Sequence, residues 1–218
     1  MASNKSKLAA IFGLLLLWLA PTAMQAQEVL KSDGRDTAYV RVILGRVAKN
    51  ISAVEFKDSA TYLAVRNIVA NRYFELNDIY AERDSLKKNP ETKATANAVC
   101  DSKLYRSHFA LTAKLSLYLT DEQIAQVKDG ITMGVVKVTY DATIDMIPTL
   151  KEEEKVQIMA WLVEARELAL DAESSKKKHE VFGKYKGRIN NYLVKRGYDL
   201  KAEREAWYKR MDAQGKKY

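Results

Sequence analysis

Lys184, Tyr185, Lys186, Arg188, Asn190, Asn191 and Tyr192 crowd one short stretch near the C-terminal end of this chain. Their side chains are those that recognise an acidic sugar. Ammonium and guanidinium groups meet carboxylates, and arginine can do so through two parallel hydrogen bonds. Phenol rings stack on pyranose faces, and amides read hydroxyls. These residues belong to a segment, 174–196, with eight Lys and Arg against one acid, Glu180. The whole chain holds 36 basic and 28 acidic residues for a net charge of +8, so this segment carries nearly all of the surplus. A basic excess focused on one helix-sized patch, with aromatics between the charges, points to an anionic partner.

On the element before it, Trp161, Glu164 and Arg166 are further candidates. Tryptophan is a platform for sugar rings; a core tryptophan with its N–H satisfied is the alternative. Arg166 and its neighbour Glu167 are residues that more often make helix-surface pairs than ligand contacts. His179 lies three residues before Phe182, at the margin of the apolar stripe Phe182, Tyr185, Ile189 and Leu193. Gly183 and Gly187, four apart, each weaken a helix by roughly 1 kcal/mol relative to alanine. That cost is explained if a ligand, or another helix packed closely, approaches there.

Catalytic signatures are absent from the sequence. His108 and His179 stand far apart with no ligand-spaced partner, so no metal site and no cofactor are expected. No glycine-rich phosphate loop or G-x-S-x-G elbow occurs. The acids Glu152, Glu153 and Glu154 read as first-turn residues facing a helix dipole.

The elements that must carry these groups follow a helical period almost throughout, and only three prolines and nine glycines interrupt them. The expectation is an all-α, single-domain helical bundle of about six to seven helices over residues 27–218. A first helix spans 36–50, with Tyr39, Val42, Ile43 and Val47 inward. Asp58 caps a long second helix ending near 84–88. Asn89-Pro90-Glu91 opens a third that runs to about Tyr118, its inward face including Leu104, Phe109, Leu111 and Leu115. Thr120 and Gln123 form a capping box for a fourth, which Gly130 and Gly134 end. The strand-like run 135–140 reads as a connection, because a lone strand has no partner. A turn at 141–146 follows, then a helix over 151–172 with Ile158, Leu162, Ala165 and Ala169 inward, the basic helix, and a last helix capped by Asp199. The helix openings at Leu119 and Leu150 resemble each other, as generic helix starts also do.

Residues 1–26 have the layout of a secretory signal peptide. Lys5 and Lys7 precede an apolar run over 8–20, and Pro21 and Ala26 frame the cleavage region. The expectation is a periplasmic or secreted protein with no stable membrane insertion after cleavage. In that compartment nucleic acid is not an expected partner. The single cysteine, Cys100, excludes an intrachain disulfide and reads as a small core residue.

The runs VVKVTY at 135–140, WLVEARE at 161–167, HEVFGKYKGRINNYL at 179–193 and GYDL at 197–200 resemble domain-of-unknown-function family 3826. The resemblance covers most of the chain and is densest from Leu119 to Trp207. This chain departs from the family pattern at Val181, where an aromatic precedes the Phe182-Gly183 pair. The resemblance implies an exported protein of a polysaccharide-degrading bacterium and a sugar-binding role. The leading expectation is therefore an exported helical protein with a carbohydrate-binding or accessory role in acidic polysaccharide utilisation. A lyase-type enzyme is the alternative, with Arg188 or Lys186 stabilising enolate-like charge and His179 or Tyr185 taking a proton. A small periplasmic chaperone is the third reading, from the Leu-Thr-Asp-Glu-Gln opening at 119–123.

Overall fold

A computed structural model describes residues 28–216. The signal peptide proposed for residues 1–26 lies outside these. Among the described residues the chain forms helices and no strand, in the order α1 (Thr37–Asn50), α2 (Ser59–Lys88), α3 (Ala96–Ser107), α4 (Ala110–Leu115), α5 (Asp121–Ile131), α6 (Val135–Met146), α7 (Glu152–Leu170), α8 (Ser175–Lys195) and α9 (Leu200–Ala213). The all-α expectation holds, with short α4 and the additional α6 taking the number of segments above that expected.

Local chemistry explains most boundaries. The carboxylates of Asp36, Asp58 and Asp199 accept backbone N–H groups of the first turns of α1, α2 and α9. Thr120 and Gln123 form the full reciprocal capping box of α5. Three boundaries differ from the sequence reading. Asn89 and Pro90 open turns rather than a helix: the Asn89 side chain accepts the Glu91 N–H at 3.0 Å, and α3 begins only at Ala96. At His108 and Phe109 the helix breaks between α3 and α4, leaving Phe109 65% exposed instead of inward. Finally, residues 135–140 are not a connection but the first half of α6, which runs on through the expected turn at 141–146. Met133 and Gly134, both at positive φ, separate α6 from α5, and Val135 and Val136 are buried. Burial of that apolar edge outweighs the modest helix penalty of β-branched residues.

Two hydrophobic clusters result. The first joins Ile43 and Val47 of α1, Val65, Ile68, Val69 and Phe74 of α2, Leu111 and Leu115 of α4, and Ile124, Val127 and Ile131 of α5. The second joins Val135 and Val136 of α6, Ile158, Leu162, Ala165 and Ala169 of α7, and Phe182, Ile189 and Leu193 of α8. Polar contacts stitch the two together. Arg166 donates to Asp129 at 2.9 Å and Lys128 to Glu167 at 2.7 Å, both between α5 and α7. Asp171, just past α7, receives buried Arg72 at 2.5 Å, lies 2.7 Å from His108 Nδ1, and offers its carbonyl to Tyr80 at 2.6 Å.

One glycine has a packing role that the sequence reading did not assign. Gly130 lies inside α5 rather than ending it, and a Cβ there would fall 1.8 Å from the carbonyl oxygen of Asn50 at the end of α1. By contrast, a Cβ on Gly183 or Gly187 would meet nothing within 4 Å. Close helix packing is therefore not what those two provide.

Candidate functional site

The apolar seam of α8 divides its polar residues into two flanks. Phe182, Ile189 and Leu193 are buried against α7, with Tyr185 half-buried beside them. At 100° per residue, Lys184, Arg188, Asn191, Tyr192 and Lys195 fall to one side of this seam and His179, Lys186 and Asn190 to the other. All three of the latter are exposed.

The first flank faces Trp161 of α7. Trp161, Lys184, Gly187, Arg188, Asn191 and Tyr192, with Lys195, line an open surface groove of about 620 Å³. Trp161 and Tyr192 meet edge-to-face, centroids 5.2 Å apart and planes at 89°. The Arg188 guanidinium lies 5.3 Å from the Trp161 ring centroid and 5.5 Å from that of Tyr185. The indole is thus no bare platform; with Tyr185 it forms a cradle for a guanidinium. Glu164 accepts a 3.3 Å hydrogen bond from Arg188. Burial pushes the Tyr185 phenol up from its ordinary value, and the adjoining Glu164 carboxylate pushes it the same way.

The structure thus brings together Trp161, Glu164, Lys184, Tyr185, Arg188, Asn191 and Tyr192. It does not bring Arg166, His179, Lys186 or Asn190 to them. Arg166 is buried and turned toward α5, where it also reaches the Ala125 carbonyl at 3.5 Å. His179 is not at the margin of the apolar stripe; Lys178, one residue earlier, fills that place. Of the acid–base pairings expected from sequence, Arg188 with Tyr185 meets at the groove, whereas Lys186 and His179 share the exposed flank away from it.

Charge on the basic helix is also partly spent within the fold. Lys177 pairs with Glu180 and Arg196 with Glu153 and Glu154. Among the described residues, Lys184, Lys186 and Lys195 have no carboxylate within ion-pair distance, and no cluster of three or more His, Cys, Asp and Glu could hold a metal ion. The GYDL run at 197–200 is structural. Gly197 takes φ +95°, Tyr198 hydrogen-bonds Glu154, Asp199 caps α9 and Leu200 packs on the second cluster.

Because both α8 glycines face open space, Gly183→Ala should stabilise the protein by about 0.5–1 kcal/mol in urea unfolding, through the helix-propensity gain alone. Gly187→Ala should do the same while its methyl group narrows the groove floor. Destabilisation by either change would mean that an unseen neighbour occupies that space.

A family model described as a protein of unknown function (DUF3826) matches residues 40–213. No curated protein matches the chain. The matched span runs from within α1 to the last turn of α9 and includes every residue of the α7–α8 groove, so the chain belongs to domain-of-unknown-function family 3826.

Proposed function

We propose that this is an exported carbohydrate-binding protein whose α7–α8 groove takes an acidic polysaccharide. One observation carries the reading: Arg188 is held by two aromatic rings and bonded to a carboxylate that a ligand can replace. Arg188 and Glu164 are both half-exposed, and such pairs contribute at most about 1 kcal/mol. A uronate carboxylate entering the groove would exchange with Glu164 at small cost. Lys184 and Lys195 on the rim add attraction, and Asn191 offers both a donor and an acceptor to ring hydroxyls. The groove is open rather than enclosed, which suits a segment of polymer.

The purified protein should be retained on immobilised polygalacturonate at low salt more strongly than on a neutral glycan. Retention should weaken as salt rises, the Debye length being about 10 Å at 0.1 M. Arg188→Ala should lower affinity by about 10- to 100-fold, from the ~1.5–3 kcal/mol of a hydrogen bond to a charged group. Lys186→Ala, on the far flank, should leave retention unchanged. Equal retention of acidic and neutral polymers, or equal sensitivity to Lys186→Ala and Arg188→Ala, would remove the groove from consideration.

A further inference from the structure

A second site lies away from that groove and does not depend on it. Between α1, α2 and the first turns of α8 is a cavity of about 760 Å³. Lys178 reaches into it and is only 6% exposed. Its ammonium donates to the Ile131 carbonyl at 3.1 Å and sits 5.7 Å from the centroid of the Tyr73 ring. The Arg46 guanidinium lies the same 5.7 Å from that ring. Two cations therefore lie near one phenol ring. Among the described residues neither has a carboxylate within ion-pair distance. The acids on the cavity wall, Asp84 and Glu173, are already bonded to Arg83, at 2.7 and 2.9 Å.

A buried ammonium with one carbonyl partner and a second cation nearby is an arrangement that costs stability. Burial lowers the Lys178 ammonium to about 8, and the Arg46 charge acts in the same direction against a weaker pull from Asp171. A fold that keeps this pair has a use for a counter-charge supplied from outside. The remaining wall indicates what carries that charge. Tyr73 accepts a 2.7 Å hydrogen bond from Asn50, which leaves its own O–H to donate, and Tyr80 adds a second aromatic face. The volume far exceeds that of a bare oxyanion.

We propose that this cavity binds a small hydroxylated carboxylate of one or two rings, its carboxylate between Lys178 and Arg46 and its body against Tyr73. Titration of the purified protein with glucuronate should show saturable binding and a raised melting temperature, whereas glucose should do neither. Lys178→Met should weaken glucuronate binding by at least tenfold, and Arg46→Met by a similar factor. The Lys178→Met protein, without ligand, should melt higher than the wild type, because an uncompensated buried charge has gone. Should Lys178→Met fail to fold, Arg46→Met alone decides the matter, since loss of glucuronate binding there still requires the cation pair. Arg188→Ala should leave glucuronate binding at this cavity intact, which separates the site from the α7–α8 groove. Absence of glucuronate binding, or binding indifferent to both cavity variants, would overturn the proposal. Inorganic phosphate binding as tightly as glucuronate would overturn the carboxylated-ring assignment, and a lower melting temperature for folded Lys178→Met would show that the ammonium is structural.

Discussion

Gly130→Ala is expected to destabilise the protein by about 3 kcal/mol, the upper end of what an added methyl group costs in a packed interior. Everything local argues the other way. Gly130 lies within α5, its backbone is helical, and alanine gains about 1 kcal/mol over glycine in a helix. What decides the sign is the carbonyl oxygen of Asn50, 1.8 Å from where the Cβ would sit, with the carbonyl carbon at 2.7 Å. Both are backbone atoms at the end of α1, so relief requires α1 and α5 to separate, opening the first cluster to which Val47, Ile51, Val127 and Ile131 belong. Asn50 also holds the Tyr73 hydroxyl on the wall of the Lys178 cavity, so the same shift would disturb that site. Urea unfolding of Gly130→Ala beside Gly183→Ala is the measurement: the two changes are chemically identical and should have opposite signs. A Gly130→Ala protein as stable as the wild type would mean that α1 and α5 are free to move apart.

That contrast also marks where the sequence is readable. Caps act over three or four residues, so Asp58, Thr120 with Gln123, and Asp199 announced their helices correctly. The inward stripe of α7 followed from spacing alone, and Ile158, Leu162, Ala165 and Ala169 are all fully buried. Three glycines in helices, however, look the same in a sequence, and only tertiary placement distinguishes Gly130 against a backbone from Gly183 and Gly187 in open space. Trp161, Arg188 and Tyr192 meet because they lie on facing edges of two consecutive helices. Arg166 pairs with Asp129 because α5 packs on α7 there, which no local signal announces. In a sequence a lysine on an apolar stripe reads as an interruption, yet Lys178 sits four residues before Phe182, where a buried side chain belongs. No local signal could have paired His108 with Asp171, or joined α1 to the start of α8.

Glu154 gives the other large effect, one that appears in acid. Its side chain is 1% exposed, yet it is ionised. Burial would raise its pKa, but the Tyr198 hydroxyl donating at 2.6 Å, the Lys151 N–H at 2.9 Å and the Arg196 guanidinium at 2.9 Å outweigh this and hold the carboxyl at about 2. The same hydrogen bond pushes the Tyr198 phenol up to about 12. This one carboxylate ties the start of α7 to the turn after α8 and so fixes the two helices that form the groove. In the unfolded chain the group titrates near its ordinary 4.5. Between about 4.5 and about 2 the unfolded state therefore binds the extra proton, and the stability this group contributes, full above 4.5, drains away as pH falls through that window. Glu154→Ala should cost about 3 kcal/mol at pH 7, because it leaves Arg196, Tyr198 and a backbone N–H without their acceptor. Glu154→Gln should cost less and, more tellingly, should flatten the acid limb of the stability profile. Urea midpoints measured from neutral pH to about pH 2.5 would show it. If wild type and Glu154→Gln lose stability in parallel over that range, the carboxylate is not ionised in the fold, and the junction that aligns α7 with α8 is held by packing of Phe182, Leu193 and Leu162 alone.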